Sequence, residues 1–274
     1  MRHPTLLPAL AAALLLAACT AAPAPRPGNV VIADSVRIVD LTHAFDEDTV
    51  YWPTDTEGFV LEEVFVGEAE GGYHYEAHRF RAAEHGGTHL DAPVHFAAGA
   101  WTADEIPLER LVGPGLVVDV RESVAADRDH LVGVEDLRRW EAVHGRIPAG
   151  AVVLLHTGTG AAWPDRAAVL GTDRTGPDAV PHLHFPGLDP AAARWLVEER
   201  SVDAVGIDTP SIDRGQSQLF ESHRVLFAAN VPAFENVAHL DRLPATGFTV
   251  VALPMKIRGG SGGPLRIVAL LPGE

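Results

Sequence analysis

Three histidines and one aspartate lie close together in residues 85–95, which read His-Gly-Gly-Thr-His-Leu-Asp-Ala-Pro-Val-His. Imidazole nitrogens and carboxylate oxygens are ligands that zinc and similar divalent ions take from proteins. In an extended chain His89 and Asp91 share a face and lie about 7 Å apart at Cα, so both side chains reach one ion. His85 joins them if Gly86 and Gly87 bend the chain. The segment therefore predicts a metal site with three protein ligands and an open position, which is typical of catalysis.

The fourth group of this segment, His95, lies four residues beyond Asp91, about 13 Å away if the chain is extended. We therefore predict that His95 transfers protons rather than binding the ion. An imidazole titrates near pH ~6.5, so it can act as base toward water and then as acid toward a leaving nitrogen. A lone histidine more often caps a loop or satisfies a buried hydrogen bond. Here Asp91 lies on the same face as the histidines and the glycines allow close backbone approach, so a metal site is favoured.

Segment 85–96 is similar to the His-x-Gly-Thr-His-x-Asp-x-Pro-x-His-Phe signature of the cyclase family, which includes bacterial kynurenine formamidases and isatin hydrolases. Residues 51–55, Tyr-Trp-Pro-Thr-Asp, resemble the family's Trp-Pro segment, although kynurenine formamidases often carry Gly where Thr54 stands. Residues 206–213, Gly-Ile-Asp-Thr-Pro-Ser-Ile-Asp, resemble its Gly-Ile-Asp-Thr-x-Ser-x-Asp segment. His223 and Glu235 match the His and Glu that complete the metal site in kynurenine formamidases.

The resemblance implies a divalent cofactor, zinc or manganese. It makes His85, His89 and Asp91 ligands of one ion, with Asp91 bridging to a second ion held by His223 and Glu235. A site like that of isatin hydrolases would hold a single manganese instead, so the number of ions per subunit, one or two, stays open. On the residues alone, His223 also fits a helix surface and Glu235 a solvated position.

Two further roles follow from the resemblance. His95 becomes the proton shuttle, and Trp52 becomes a wall that stacks on an aromatic substrate. On the sequence alone Trp52 fits a buried core position beside a Pro turn as well. Two other histidine pairs, His74 with His78 and His182 with His184, are not predicted to be additional ligands.

The predicted activity is hydrolysis of an amide in a small aromatic substrate, because a divalent ion polarises a carbonyl and activates water. The resemblance implies an arylformamidase, which converts N-formylkynurenine and water to kynurenine and formate in tryptophan catabolism. Opening of a cyclic amide such as isatin is the alternative. Two other classes stay open, a non-catalytic metal- or solute-binding lipoprotein and a lyase or dehydratase. His95 favours an enzyme, since binding alone needs no group for proton transfer.

The N-terminus reads as an export leader: Arg2 precedes an apolar run over residues 6–18 that is too short to span a membrane. The run ends Leu-Ala-Ala-Cys, which resembles a bacterial lipobox and makes Cys19 the lipidated residue. Ordinary signal cleavage nearby is the alternative. We predict a leader at 1–19, a flexible tether at 20–34 and a hydrolase domain at 35–274, in an exported protein that is membrane-anchored through Cys19 or periplasmic. Export fits cytoplasmic tryptophan catabolism poorly, which keeps the isatin alternative open.

The chain carries a formal net charge of −16. Nucleic-acid binding needs a basic face that displaces counterions from phosphates, so this charge excludes a nucleic-acid partner. The predicted partners are therefore the small amide substrate and, by resemblance, further copies of the chain in a homodimer or larger oligomer.

Short β-branched runs alternate with segments of helical spacing, which predicts an α/β domain. The predicted strands are 36–41, 115–120, 151–156, 204–207 and 248–253, and the predicted helices are 134–143, 190–199 after an Asp189 cap, and 222–229. Residues 157–186 lack periodicity and predict a long loop or lid. The family resemblance implies a mixed-sheet, swivelling β/β/α cyclase-like fold.

Overall fold

The structure is a computed structural model, and it describes residues 36–273. The predicted leader and tether lie outside these residues and stay predictions. No helix within 36–273 is long and apolar enough to cross a membrane.

In the described part of the chain the main sheet contains eight strands, in the order β1-β12-β11-β5-β7-β9-β10-β4. Because β4 also pairs with β12, seven of these strands close into a ring, and β1 extends it along β12. The strands are β1 Val36–Asp40, β2 Val60–Ala69, β3 Tyr73–Arg81, β4 His89–Asp91, β5 Val112–Asp119, β6 Leu131–Val132, β7 Val152–His156, β8 Gly187–Leu188, β9 Ala204–Ile207, β10 Ala233–Glu235, β11 Phe248–Pro254 and β12 Gly262–Pro272.

The sheet is mixed. The consecutive strands β5, β7, β9 and β10 pair with one another in parallel. The pairs β1–β12, β11–β12 and β4–β10 are antiparallel. The parallel strands β7 and β9 are buried at every residue, which explains why they read as continuous apolar runs rather than as alternating ones. One core cluster packs on each side of these strands, with Val153 and Val205 in one and Leu154 and Ala204 in the other.

Residues 36–273 contain five α-helices: α1 Arg121–Ala126, α2 Val134–His144, α3 Arg166–Leu170, α4 Pro190–Trp195 and α5 Glu221–Ala228. The predicted cap of the fourth helix is confirmed, because the Asp189 carboxylate accepts from the Ala191 backbone N–H. This helix continues as a π-helical turn over Leu196–Arg200. The predicted mixed α/β fold is confirmed. The five predicted strands and three predicted helices all occur; 204–207 matches β9 at both ends, and the other elements differ from the prediction at one or both ends.

The prediction of a long loop over residues 157–186 is wrong. The segment contains the helical turns Thr159–Ala162 and Pro177–His182 as well as α3. Val169, Leu170, Leu183 and Phe185 from this part of the chain form a small buried cluster with Val50. Its helices are each too short to show periodicity, which is why the pattern looked irregular.

A separate two-stranded sheet, formed by β2 and β3, was not predicted as an element. The strands pair antiparallel from Val60 opposite Arg81 to Ala69 opposite Tyr73, with an irregularity between Glu63 and Phe65. Large apolar side chains on this hairpin are exposed to solvent, namely Leu61, Val64, Phe65, Val66, Tyr73, Tyr75 and Phe80.

Candidate metal centre

The pairing of β4 with β10 places the first groups of the site. The register sets His89 directly opposite Glu235 and Asp91 opposite Ala233. All four residues are buried, so the two strands carry an imidazole and two carboxylates into the interior. The Nε2 atom of His89 lies 3.1 Å from Asp91 Oδ1 and 3.4 Å from Glu235 Oε2.

The bend that lets His85 join β4 is present. Gly87 has a φ of +57°, which favours glycine, and a Cβ atom there would meet the ring of Phe45 at 2.7 Å. As a result His85 Nδ1 lies 2.6 Å from Asp91 Oδ1.

α5 supplies His223 from the opposite side. Its Nε2 lies 3.2 Å from Asp91 Oδ2 and 3.0 Å from Glu235 Oε1. Its Nδ1 lies 2.5 Å from the buried carboxylate of Asp213, the last residue of the predicted 206–213 segment. Asp213 thus orients the ring so that Nε2 faces the other two carboxylates.

The ligand atoms form two compact groups that share Asp91. His85, His89 and Asp91 make one group, and Asp91, His223 and Glu235 make the other. The structure therefore brings together all five residues predicted as ligands. Among the described residues, the histidines at 74, 78, 182 and 184 fall outside both groups.

The electrostatics of the cluster favour a cation. Burial alone would lower the pKa of His89, but the nearby carboxylates of Asp91 and Glu235 outweigh it and raise this pKa to about 10. Burial opposes a charged Asp91 as well, yet His223 and His85 hold the pKa of its carboxyl well below the usual range. The buried carboxylates thus draw positive charge into the site.

The donor set fits a divalent ion. His89 Nε2 is buried and has no partner in hydrogen-bond geometry, although it faces two carboxylates. Its other nitrogen, Nδ1, lies 3.0 Å from the carbonyl oxygen of Gly87 and donates to it, so an ion that displaced the proton of Nε2 would meet a lone pair there. A lone pair aimed at carboxylate oxygens is the arrangement of a histidine ligand.

His95 lies beside the two groups and belongs to neither. The extended geometry assumed for it from the sequence is wrong, because Pro93–His95 forms a turn of 3-10 helix. Burial lowers the pKa of His95 to about 4, and the charge of Asp91 offsets only part of this effect. His95 is therefore neutral at pH ~7 and has a free ring nitrogen.

A cavity of about 270 Å³ opens onto the cluster. The predicted residue Trp52 lies in its wall. Phe220 lies beside Trp52 with ring centroids 6.3 Å apart and stacks on Phe96 at 4.9 Å. His95 lines the same cavity, so a bound aromatic ring would lie near both the metal groups and the proton-transfer group.

Several residues of the site were not identified from the sequence. Phe96 closes the matched signature and Asp213 closes the second segment, so both were visible but had no role assigned. Phe220 carries no motif. It projects from a left-handed backbone position, φ +47°, just before α5, and only the tertiary structure shows it in the cavity wall.

The comparisons with known proteins point to one family. The family described as "Putative cyclase" matches residues 39–214. The isatin hydrolase of Roseibium aggregatum is 36% identical over 197 residues, 69% of this chain and 72% of that protein. The kynurenine formamidase of Bacillus cereus is 26% identical over 235 residues, 84% of this chain and 95% of that protein. Isatin hydrolase A from Ralstonia solanacearum superposes with a TM-score of 0.78 at 34% identity, covering 86% of this chain and 92% of that structure.

A closed mixed β-sheet places a cluster of histidines and carboxylates at an aromatic cavity, and these features define a metal-dependent hydrolase. The chain belongs to the cyclase family. The predicted family and the predicted enzyme class, hydrolase, are both confirmed.

Proposed function

We propose that this chain hydrolyses the amide bond of a small aromatic substrate with the help of a divalent ion. One observation carries the proposal: the two groups of ligand atoms and a neutral histidine line the same cavity, whose wall also contains aromatic side chains. Cyclic amides such as isatin are the first candidate substrates and N-formylkynurenine is the second. Both activities were predicted; higher identity to isatin hydrolases supports the cyclic amide.

Different residues of the chain would bind the ion, hold the substrate and transfer the proton. His85, His89, Asp91, His223 and Glu235 would hold the ion. When bound, a divalent ion polarises a carbonyl and lowers the pKa of water. The rings of Trp52, Phe96 and Phe220 hold the aromatic part of the substrate and exclude water around it. His95 takes the proton that the attacking water loses and returns it to the leaving nitrogen.

We propose one or two ions per subunit, of zinc or manganese. The shared carboxylate of Asp91 supports two, because Oδ1 faces His85 and His89 while Oδ2 faces His223. The imidazole and carboxylate donors suit zinc, and manganese accepts the same carboxylates.

The test is an assay of the purified full chain with isatin and N-formylkynurenine side by side, after loading with zinc or manganese. We expect ring opening of isatin, and formate release if the second activity is present. The variant His95→Ala, which leaves the five proposed ligands intact, is the control. Metal binding without turnover of either substrate would contradict the hydrolase proposal and favour a binding protein or a lyase.

The exposed hairpin supports a homodimer. An isolated two-stranded sheet is marginally stable in water, yet β2 and β3 expose apolar side chains on both faces. β2 carries Glu62, Glu63 and Glu68, whereas β3 carries Arg79 and Arg81 beside Glu76, so a second hairpin offers charges of both signs. We expect light scattering to give twice the chain mass, and the double change Tyr73→Glu and Tyr75→Glu to reduce it to one. A monomeric wild type would contradict this arrangement.

The proposed location is the cell envelope, with the chain anchored through Cys19 or released as a periplasmic protein. The lipobox-like end of the leader supports an anchor. Fractionation of bacterial cells that express the full chain tests it. We expect the protein in the membrane fraction and the Cys19→Ala variant outside it; equal distribution of the two would contradict lipidation.

A further inference from the structure

A serine and a glutamate contact the imidazole of His85 on the side that faces away from Asp91. His85 Nε2 lies 2.9 Å from Ser261 Oγ. Ser261 Oγ in turn lies 2.6 Å from Glu84 Oε2, which also accepts from the Ser261 backbone N–H at 3.0 Å. The contacts form a chain from a carboxylate through a hydroxyl to the imidazole.

The chemistry of these groups determines where the protons lie. An ionised carboxylate only accepts hydrogen bonds, so the hydroxyl of Ser261 donates its proton to Glu84. Ser261 Oγ then offers only lone pairs to His85, and Nε2 must donate. A neutral imidazole carries one ring proton, so Nδ1 keeps its lone pair. Nδ1 is the atom that lies 2.6 Å from Asp91 Oδ1, so either a proton on Nδ1 or a metal ion must lie between the two atoms, and in the proposed site the divalent ion would take the place of that proton.

Glycines allow the backbone to approach this closely. Ser261 lies in the run Gly-Gly-Ser-Gly-Gly at 259–263, which has no phosphate-binding lysine. A Cβ atom at Gly262 would meet His85 Cε1 at 2.6 Å, and one at Gly260 would meet Glu84 Oε1 at 2.7 Å. The Ser261 carbonyl accepts from Ala92 N–H at 2.8 Å, which ties the run to the end of β4.

The order Asp91, His85, Ser261 also resembles a nucleophilic triad, but the geometry argues against that role. The proton of Ser261 is engaged by Glu84. The residues that line the cavity in the described chain include His85 and Asp91 but not Ser261. Ser261 therefore acts on the ring of His85 and does not reach the substrate.

We propose that Ser261 and Glu84 are positioning residues that hold His85 with Nε2 protonated and Nδ1 presented to the divalent ion. This inference rests on the metal site of the proposed function. It completes a pattern in which each histidine ligand is oriented through its second nitrogen, as His223 is by Asp213 and His89 by Gly87. His85 has the greatest need of such support, because its side chain is 25% exposed whereas that of His89 is 3% exposed.

The first test is the zinc affinity of the full chain, measured by competition with a chelating dye. Partners behind a metal-binding histidine are typically worth about 10- to 100-fold in affinity, so we expect Ser261→Ala to weaken binding by about 10-fold or more. Glu84→Gln should weaken it less, since the amide oxygen still accepts from the hydroxyl. Ser123→Ala, a half-buried serine on α1, is the matched control and should bind zinc as the wild type does. Equal affinities for wild type, Ser261→Ala and Glu84→Gln would overturn the inference.

A second measurement separates orientation from a general loss of structure. Proton–nitrogen correlation spectra of the histidine rings in the zinc-loaded wild type should show a protected proton on Nε2 of His85 and zinc on Nδ1. In Ser261→Ala this proton should exchange with water at least about 10-fold faster, and in Glu84→Gln faster by a smaller factor, while the metal-free melting temperature is unchanged. Zinc on Nε2 and the proton on Nδ1 would overturn the proposal. Neither result depends on turnover, so inactivity toward both amides would contradict the proposed function without deciding this inference.

Discussion

The imidazole rings of His85 and His95 stack with centroids 3.8 Å apart and planes 20° apart. Nδ1 of His85 faces Asp91 within one group of ligand atoms, while His95 lines the cavity without belonging to either group. The stack thus fixes the proton-transfer group against the proposed metal site.

His95→Ala should reduce kcat on isatin by about a hundred-fold to ten-thousand-fold, the usual contribution of a positioned acid or base. The bound metal should be unchanged, because the five proposed ligands remain. Steady-state kinetics and elemental analysis of the same preparation check both halves. Loss of metal together with activity would show that His95 is itself a ligand.

Asp91→Asn should remove more metal than any other single change in the cluster, because Asp91 contributes to both groups. We expect it to lose all tightly bound ions, whereas His85→Ala and His223→Ala each weaken one group. Elemental analysis after dialysis measures the ratio of metal to chain. Asp119→Asn, which changes an exposed carboxylate paired with Arg121, is the control. Metal retained at the wild-type ratio in Asp91→Asn would contradict the shared-carboxylate arrangement.

Phe220→Ala should raise KM for an aromatic amide by roughly 2- to 12-fold, the equivalent of about 0.5–1.5 kcal/mol for one aromatic contact. The value of kcat should change less, because Phe220 lies away from the atoms that transfer protons. Leu219→Ala alters the neighbouring side chain, which is 63% exposed, and should leave both constants unchanged. An unchanged KM in Phe220→Ala would place the aromatic ring of the substrate elsewhere.

His43 should make the fold sensitive to acid. Burial, with a smaller effect from His239, lowers the pKa of His43 to about 4, and its ring stacks on Trp163 with centroids 4.2 Å apart. The folded pKa lies below the unfolded value of about 6.5, so the neutral ring stabilises the fold fully above pH ~6.5 and this contribution is lost as the pH falls toward ~4.

His43→Phe keeps an aromatic ring against Trp163 but removes the titrating group. Between pH ~6.5 and ~4 its free energy of unfolding should therefore fall less steeply than that of the wild type. Denaturant titrations at several pH values measure the two slopes. Parallel slopes would show that His43 does not titrate in this range.

Gly86→Ala should destabilise the fold by about 1–3 kcal/mol, the usual cost of overpacking. A Cβ atom there would lie 2.1 Å from the ring of Tyr51, which pairs with Gly86 in an isolated bridge. Combined with Tyr51→Ala, which removes that ring, the glycine change should cost less than it does alone. Denaturant unfolding of the four proteins checks this coupling, and strictly additive costs would contradict it.

The parallel strands and the metal residues were both predictable, for different reasons. The strands around Val153 and Val205 are buried on both faces, so their apolar runs are visible locally. The cluster at 85–95 is dense enough in sequence to be identified without a structure. The β2–β3 hairpin was missed, because its apolar residues are exposed and its pattern gives no buried face.

The sequence by itself determined the family, the α/β class and the identity of the five proposed ligands, His95 and Trp52. These rest on residues that are close in the chain or on motifs of fixed spacing. Only the tertiary structure decided that His95 folds back onto His85, that Asp91 belongs to two groups, and that Phe220 and Ser261 reach the site. These relationships depend on strand register and on contacts between residues as far as 177 positions apart. Local periodicity carries no information about such contacts, because they form only when the ring of strands closes.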